Sequence, residues 1–267
     1  MSTVDDTSAA DAPPRAVPSV RSYGRIVVVG GGCYGGYYVR QLGRAQRAGA
    51  LSWRELVVVD RDPSCAVSAL AESDRPPRLT VTNASWREYF SSYLGATAEA
   101  REATEDAIVP SPLMPHLMAD WLIDRARERW PGRSVETVPL AAPPAVPWQR
   151  AGEDGTHYVS YAEWMCPINC IEPARCPETR GTRDWSMPLA VRAYVERERL
   201  EGRQTEAPLV FHCTHRAYGV GMIDVRDLIE ADRTIASAAA DRAARFIVGT
   251  VSHCHGALRA VQVGDRR

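Results

Sequence analysis

The sequence predicts an α/β fold: a doubly wound, mostly parallel sheet with a C-terminal Cys/His-rich extension. Short segments that are apolar throughout, among them Ile26 to Val29 and Val57 to Val59, alternate with segments of helical length. Strands of that kind are covered on both faces, the condition of a parallel sheet clothed by helices. A second observation sets the C-terminal part apart. Five of the seven cysteines and four of the six histidines follow residue 160, in three groups: Cys166, Cys170 and Cys176; His212, Cys213 and His215; His253, Cys254 and His255.

Taken in order, residues 1–22 are rich in Ala, Ser, Asp and Pro with little to bury, the composition of a disordered tail. Arg25 to Gly30 reads as a buried strand, Tyr34 to Ala48 as a helix, and Glu55 to Asp60 as a second strand ending in an acid. A third strand at Arg78 to Thr82 precedes a helix from about Ser85 to Leu94, an acidic helical surface segment over 97–106, and a short strand at Ala107 to Val109. After Pro112 and Pro115 an amphipathic helix runs to Trp130, and Val135 to Leu140 is a fifth strand. The Pro-rich stretch Ala141 to Pro147 leads out of this unit, which gives residues 23–147 as a nucleotide-binding domain and 148–267 as a Cys/His-rich α/β region able to continue the same sheet. That region reads as a strand from Thr156 to Tyr161, a helix from Pro188 to Leu200, and buried strands at Leu209 to His212 and Arg245 to Val251 flanking a helix from Asp224 to Ala239. Gly219 and Gly221 mark a second tight loop, and Ala257 to Val263 is an edge strand.

Composition removes several function classes. The chain has no lysine, so all 32 basic side chains are arginine. Arginine keeps its proton and cannot serve as a Schiff-base amine or general base. A lysine-bearing P-loop, pyridoxal-phosphate chemistry, lysine aldolases and the tyrosine-lysine pair of short-chain dehydrogenases are thereby excluded. The net charge of -1 offers no basic field for nucleic acid or an anionic membrane surface. No segment is long and apolar enough to insert in a membrane, and residues 1–22 lack the apolar core of a secretory signal, so the cytoplasm is the expected compartment. In a reducing compartment, clustered cysteines are more often ligands than disulfides.

Gly30, Gly32 and Gly35 fit the spacing G-x-G-x-x-G between a strand and a helix, with Asp60 at the end of the next strand. Glycine permits the tight turn and a close backbone approach to pyrophosphate, the helix N-terminus attracts phosphate, and the acid can accept ribose hydroxyls. In these residues the chain resembles the Rossmann nucleotide-binding superfamily, which includes the nicotinamide-dinucleotide domains of oxidoreductases and of cytoplasmic potassium-uptake regulators. The resemblance spans roughly residues 24–140 and implies NAD or NADP as cofactor, with Gly30, Gly32, Cys33, Gly35 and Asp60 in contact with it. Arg61 leaves a 2'-phosphate open, as the turn leaves S-adenosylmethionine and a flavin nucleotide open. Cys33 sits at a helix N-terminus, where a thiol's pKa tends to fall.

Thiolate and imidazole bind soft and borderline metals. Cys166, Cys170 and Cys176 are spaced C-x3-C-x5-C, with Pro167, Pro173 and Pro177 restricting the loop. The spacing matches neither a bacterial ferredoxin run nor a zinc ribbon. An iron-sulfur cluster is the first expectation and zinc the alternative. Three thiols are one short of a closed site. Cys213 is the first choice for the fourth ligand, ahead of Cys254 and of His212, His215, His253 and His255. Both strand-end groups face one crevice if their strands are neighbours.

The leading expectation is therefore a redox protein with a dinucleotide site and an iron-sulfur site, acting on a small-molecule substrate or a redox partner protein. A nucleotide- or redox-sensing regulator without catalysis is the second reading. The third is a zinc protein with a degenerate nucleotide site. No catalytic residue is identified.

Overall fold

Ile26, Val28, Leu56 and Val58 are fully buried on one side of their strands while Val27, Val29, Val57 and Val59 are buried on the other. This period-two division fixes β1 (Arg21–Val29) and β2 (Leu51–Asp60) inside a sheet with both faces covered. The structure is a computed structural model that describes residues 20–100 and 104–266. Residues 1–19 of the expected tail, and 101–103 of the expected helical segment over 97–106, lie outside the described residues.

α1 (Cys33–Arg47) follows β1. Next come β3 (Leu79–Asn83), α2 (Trp86–Ala100), β4 (Ala107–Val109), α3 (Leu117–Arg129), β5 (Val135–Val138), β6 (Trp148–Ala151) and β7 (His157–Ser160). The remainder is α4 (Met187–Leu200), β8 (Pro208–His212), β9 (Thr214–Ala217), β10 (Val220–Asp224), α5 (Val225–Ala238), β11 (Ala244–Val251) and β12 (His255–Val263).

These strands do not build the expected doubly wound, mostly parallel, Rossmann-like sheet. They form two mixed sheets. The first runs β3-β2-β1-β4-β10-β9, parallel from β3 to β4 and antiparallel from β4 onward. The second runs β6-β7-β12-β11-β8, with β5 also on β12, and only the β11/β8 pair is parallel. The physical reason is that an apolar run reports burial on both faces and says nothing about direction. Short connections decide direction here: β9 and β10 are joined by Tyr218 and Gly219 alone, both at positive φ (49° and 79°), and β11 and β12 by residues 252–254. β12, expected at an edge, is internal, with β11 on one side and β7 and β5 on the other. The expected fifth strand of the first sheet, β5, belongs to the second.

Three helices fill the space between the sheets. Phe90 and Leu94 of α2, Met118 and Leu122 of α3 and Ile235 of α5 share one core with Val27, Val29 and Ile108 of the first sheet and Phe211, Phe246 and Val261 of the second. α1 covers the outer face of the first sheet, and α4 that of the second through Met187, Val191 and Tyr194. The five layers form one body. Among the described residues no helix is long and apolar enough to cross a membrane.

Buried arginines tie the layers together, a role suited to a forked donor. Arg133 donates to the backbone oxygens of Ala239, Arg242 and Gly264. Arg259, 5% exposed, donates to Thr156 and pairs with Asp120 and Asp154.

Candidate functional site

At the end of β1 the chain turns at Gly30, whose φ of +86° is costly for any residue with a side chain. A Cβ on Gly35 would run into the Gly30 carbonyl oxygen, and a Cβ on Gly31 into Cys65 Sγ. Gly31 N–H donates to Asp60 Oδ2 at 2.7 Å and Asp62 N–H to Oδ1 at 2.8 Å, so backbone engages both oxygens of the acid expected to meet a ribose. Val67 N–H donates to the Gly31 carbonyl at 3.0 Å, laying residues 62–70 against the turn. Gly32 has open space around it, and Cys33 is exposed at the start of α1. Gly35→Ala is expected to cost about 2–3 kcal/mol through overpacking against backbone, whereas Gly32→Ala at the helix cap costs under about 1 kcal/mol. Urea denaturation of the two variants checks the contrast.

The cysteine and histidine groups meet elsewhere. β8 and β11 pair in parallel with His212 opposite Val251, so both strands deliver their C-terminal residues to one place. The His212 and His253 rings stack with centroids 5.2 Å apart, and His212 Nε2 lies 3.3 Å from His253 Nδ1. Burial, then the charge of His253, holds the His212 pKa below the usual histidine range. The third contributor is the segment 161–186 between β7 and α4. Tyr161 N–H donates to the Cys254 carbonyl and Met187 N–H to that of His253, both at 2.9 Å, which fastens both ends of the segment to the β11–β12 turn.

Glu172 fastens its middle. Its φ of +51° carries the carboxylate into the turn, where it accepts the backbone N–H groups of His253 (3.0 Å) and Cys254 (3.2 Å) and lies 3.6 Å from His215 Nδ1. Burial pushes this carboxyl up, but hydrogen bonds from His215, Ser252 and the His253 backbone outweigh it and hold the pKa at about 2. No single-sequence pattern marks this glutamate, because its role depends on a left-handed residue inside a loop.

Cys166, Cys170 and Cys254 line one cavity, and Cys176 lies near enough for its charge to act on Cys166. Burial, then the charges of Cys170, Cys254 and Cys176, pushes the Cys166 thiol up to about 11. Hydrogen bonding from the Thr179 backbone, which outweighs burial, holds Cys176 below the usual thiol range. The Cys254 thiol accepts Trp185 Nε1–H at 3.3 Å. Arg183 lies near both Cys176 and Cys254, and its positive charge favours the thiolate at each. Cys213 lines the same cavity, but its charge is not among those that act on Cys166. It packs against Gly221, and burial, then the charge of Glu172, pushes its thiol to about 12. Among the described residues no three His, Cys, Asp or Glu side chains already converge as ligands of one metal ion.

Beside the thiols lies a cavity of about 490 Å³, outside the carboxyl ends of β4, β8 and β11. Pro110, Cys213, His215, Thr250 and His255 line it together with Cys166, Cys170, Glu172 and Cys254, whereas Gly30, Gly32, Cys33, Gly35 and Asp60 do not. His255 Nδ1 lies 2.9 Å from Ser160 Oγ, which also donates to the Ala162 carbonyl and accepts the Ala162 N–H. With its single proton committed to that carbonyl, Ser160 must accept from Nδ1–H; this network assigns the His255 tautomer and leaves Nε2 as a bare acceptor.

Residues 118–264 match a family model described as "Uncharacterized protein, C-terminal domain". That stretch holds every thiol and imidazole described around the cavity, and the glycine turn lies outside it. No curated protein and no solved structure matches the chain.

Proposed function

The chain belongs to the family defined by that C-terminal domain, whose residues carry the site, and we propose that it is a redox protein in which Cys166, Cys170, Cys176 and Cys254 hold an iron-sulfur cluster beside a substrate cavity. The observation that carries this reading is that two loop thiols, Cys166 and Cys170, and the strand-end thiol of Cys254 line one cavity, with Cys176 near enough to act on Cys166.

Other features fit an anionic sulfur-ligated group. The Arg183 guanidinium places a positive charge beside two of the thiols. Backbone groups at Thr179 and Glu178 and the Trp185 indole hydrogen-bond to sulfur, the kind of interaction that tunes a cluster's potential. When bound, such a cluster supplies one-electron transfer. Glu172 holds the loop and the turn in register.

This support does not extend to NAD or NADP. Both Asp60 oxygens are engaged by backbone, and the glycine turn does not reach the cavity. Anaerobic purification from iron-replete cells, with iron and acid-labile sulfide analysis, tests the proposal. A broad visible absorption that bleaches with dithionite, together with stoichiometric iron and sulfide, is expected. Colourless protein carrying zinc would defeat it.

A further inference from the structure

The cavity wall differs in character from the rest of the molecule. The chain carries 32 basic residues, all arginine, yet among the described residues no arginine lines the cavity. The one formally charged side chain there is Glu172, an anion. Tyr38, Trp148, Tyr158 and Trp164 line the cavity, and Met165 and Ile168, both exposed, add apolar surface. A phosphate or carboxylate entering this space would lose water, find no counter-charge and face Glu172. A flat apolar ligand would instead exchange water for aromatic contacts.

One polar point gives the space a direction. His255 lines the cavity with its Nδ1–H committed to Ser160 Oγ, which leaves Nε2 free to accept one hydrogen bond. A ligand satisfies it by bringing a donor. We propose that the cavity binds an uncharged, largely apolar ring compound carrying a hydroxyl or N–H donor, with that donor on His255 Nε2. The proposal goes beyond the cluster reading and does not rest on it, since the aromatic wall, Glu172 and the Ser160–His255 pair belong to the chain whether or not the thiols hold iron.

Three naphthalenes of one shape separate the terms. Calorimetric titration of the full chain under anaerobic conditions is expected to show 2-naphthol binding at one site per chain. 2-Methoxynaphthalene, which has no donor, binds about tenfold more weakly because Nε2 is left unsatisfied. 2-Naphthoate, the same ring with a negative charge, binds at least about tenfold more weakly. Trp148→Ala, in the exposed strand β6, lowers naphthol affinity about fivefold without unfolding the chain, as circular dichroism verifies. Failure of naphthol to bind, naphthoate or the methoxy compound binding as tightly as naphthol, or indifference to Trp148→Ala in a folded variant overturns the proposal. Iron measured on the same samples keeps the two readings apart: naphthol binding without iron counts against the cluster alone, and iron without naphthol binding against the ligand class alone.

Discussion

On the proposed cluster reading, Cys254→Ser is expected to abolish iron binding and visible absorption, whereas Cys213→Ser leaves both in place. The sequence puts Cys213 ahead of Cys254 as fourth ligand, although each follows a histidine at the end of a buried strand. Structure separates them. Cys213 N–H donates to the Val251 carbonyl at 2.7 Å, continuing the β8–β11 ladder, and its side chain turns toward Gly221. Cys254 lies in the β11–β12 turn, where its carbonyl and amide hold the loop that bears the other three thiols. Removing one of four thiolates from a sulfur-ligated cluster removes the site, so the expected loss is complete and not graded. Cys166→Ser, Cys170→Ser and Cys176→Ser should match Cys254→Ser. Retention of iron by Cys254→Ser with loss in Cys213→Ser would reverse the grouping.

Glu198→Ala will lower stability by about 3–5 kcal/mol, because it leaves a charge unpaired in the interior. Glu198 is fully buried and accepts hydrogen bonds from Tyr194 (2.7 Å) and Thr205 (3.0 Å) while pairing with Arg245. Burial pushes its carboxyl up, and hydrogen bonds from Arg245, Tyr194 and Thr205 more than reverse that, leaving the pKa below the ordinary value of 4.5. A carboxyl depressed in the folded state stabilises fully above its unfolded value, so this contribution is present above pH 4.5 and is lost as the pH falls toward the folded pKa. Urea denaturation at pH 7 and at lower pH reads both effects: the gap between Glu198→Ala and the parent is expected to narrow as the pH falls below 4.5. Glu198→Leu combined with Arg245→Met removes both charges and should recover most of the loss. A single variant as stable as the parent would mean that the pair is solvated.

The sequence disclosed elements better than their arrangement. Ile26–Val29, Leu56–Val59 and the last turn before Trp130 were legible because burial on one or two faces leaves a periodic trace. Strand direction leaves none, so β11 and β12, apolar enough for a parallel sheet, pair as a hairpin. β9 was hidden by its half-buried Thr-His-Arg-Ala sequence, and β10 by glycines at 219 and 221 that read as loop. The meeting of His212–Cys213 with His253–Cys254–His255 was legible, since neighbouring parallel strands end on the same side of a sheet. Which strand-end thiol faces the loop was not, because that depends on hairpin geometry. Glu172 and the Ser160–His255 pair depend on contacts between residues 80 or more positions apart, beyond any local pattern. The glycine turn illustrates the converse limit. Its spacing is that of a phosphate cradle, yet Gly30 and Gly35 have geometric reasons of their own, and Asp60 serves the turn.

Whether the four thiols share one iron-sulfur group is measured most directly by X-ray absorption at the iron edge on the anaerobically purified full chain. A sulfur shell accompanied by a short iron–iron distance, both lost in Cys254→Ser and kept in Cys213→Ser, is the predicted result. An iron site without an iron neighbour, or a zinc edge with sulfur and nitrogen ligands in its place, would contradict it.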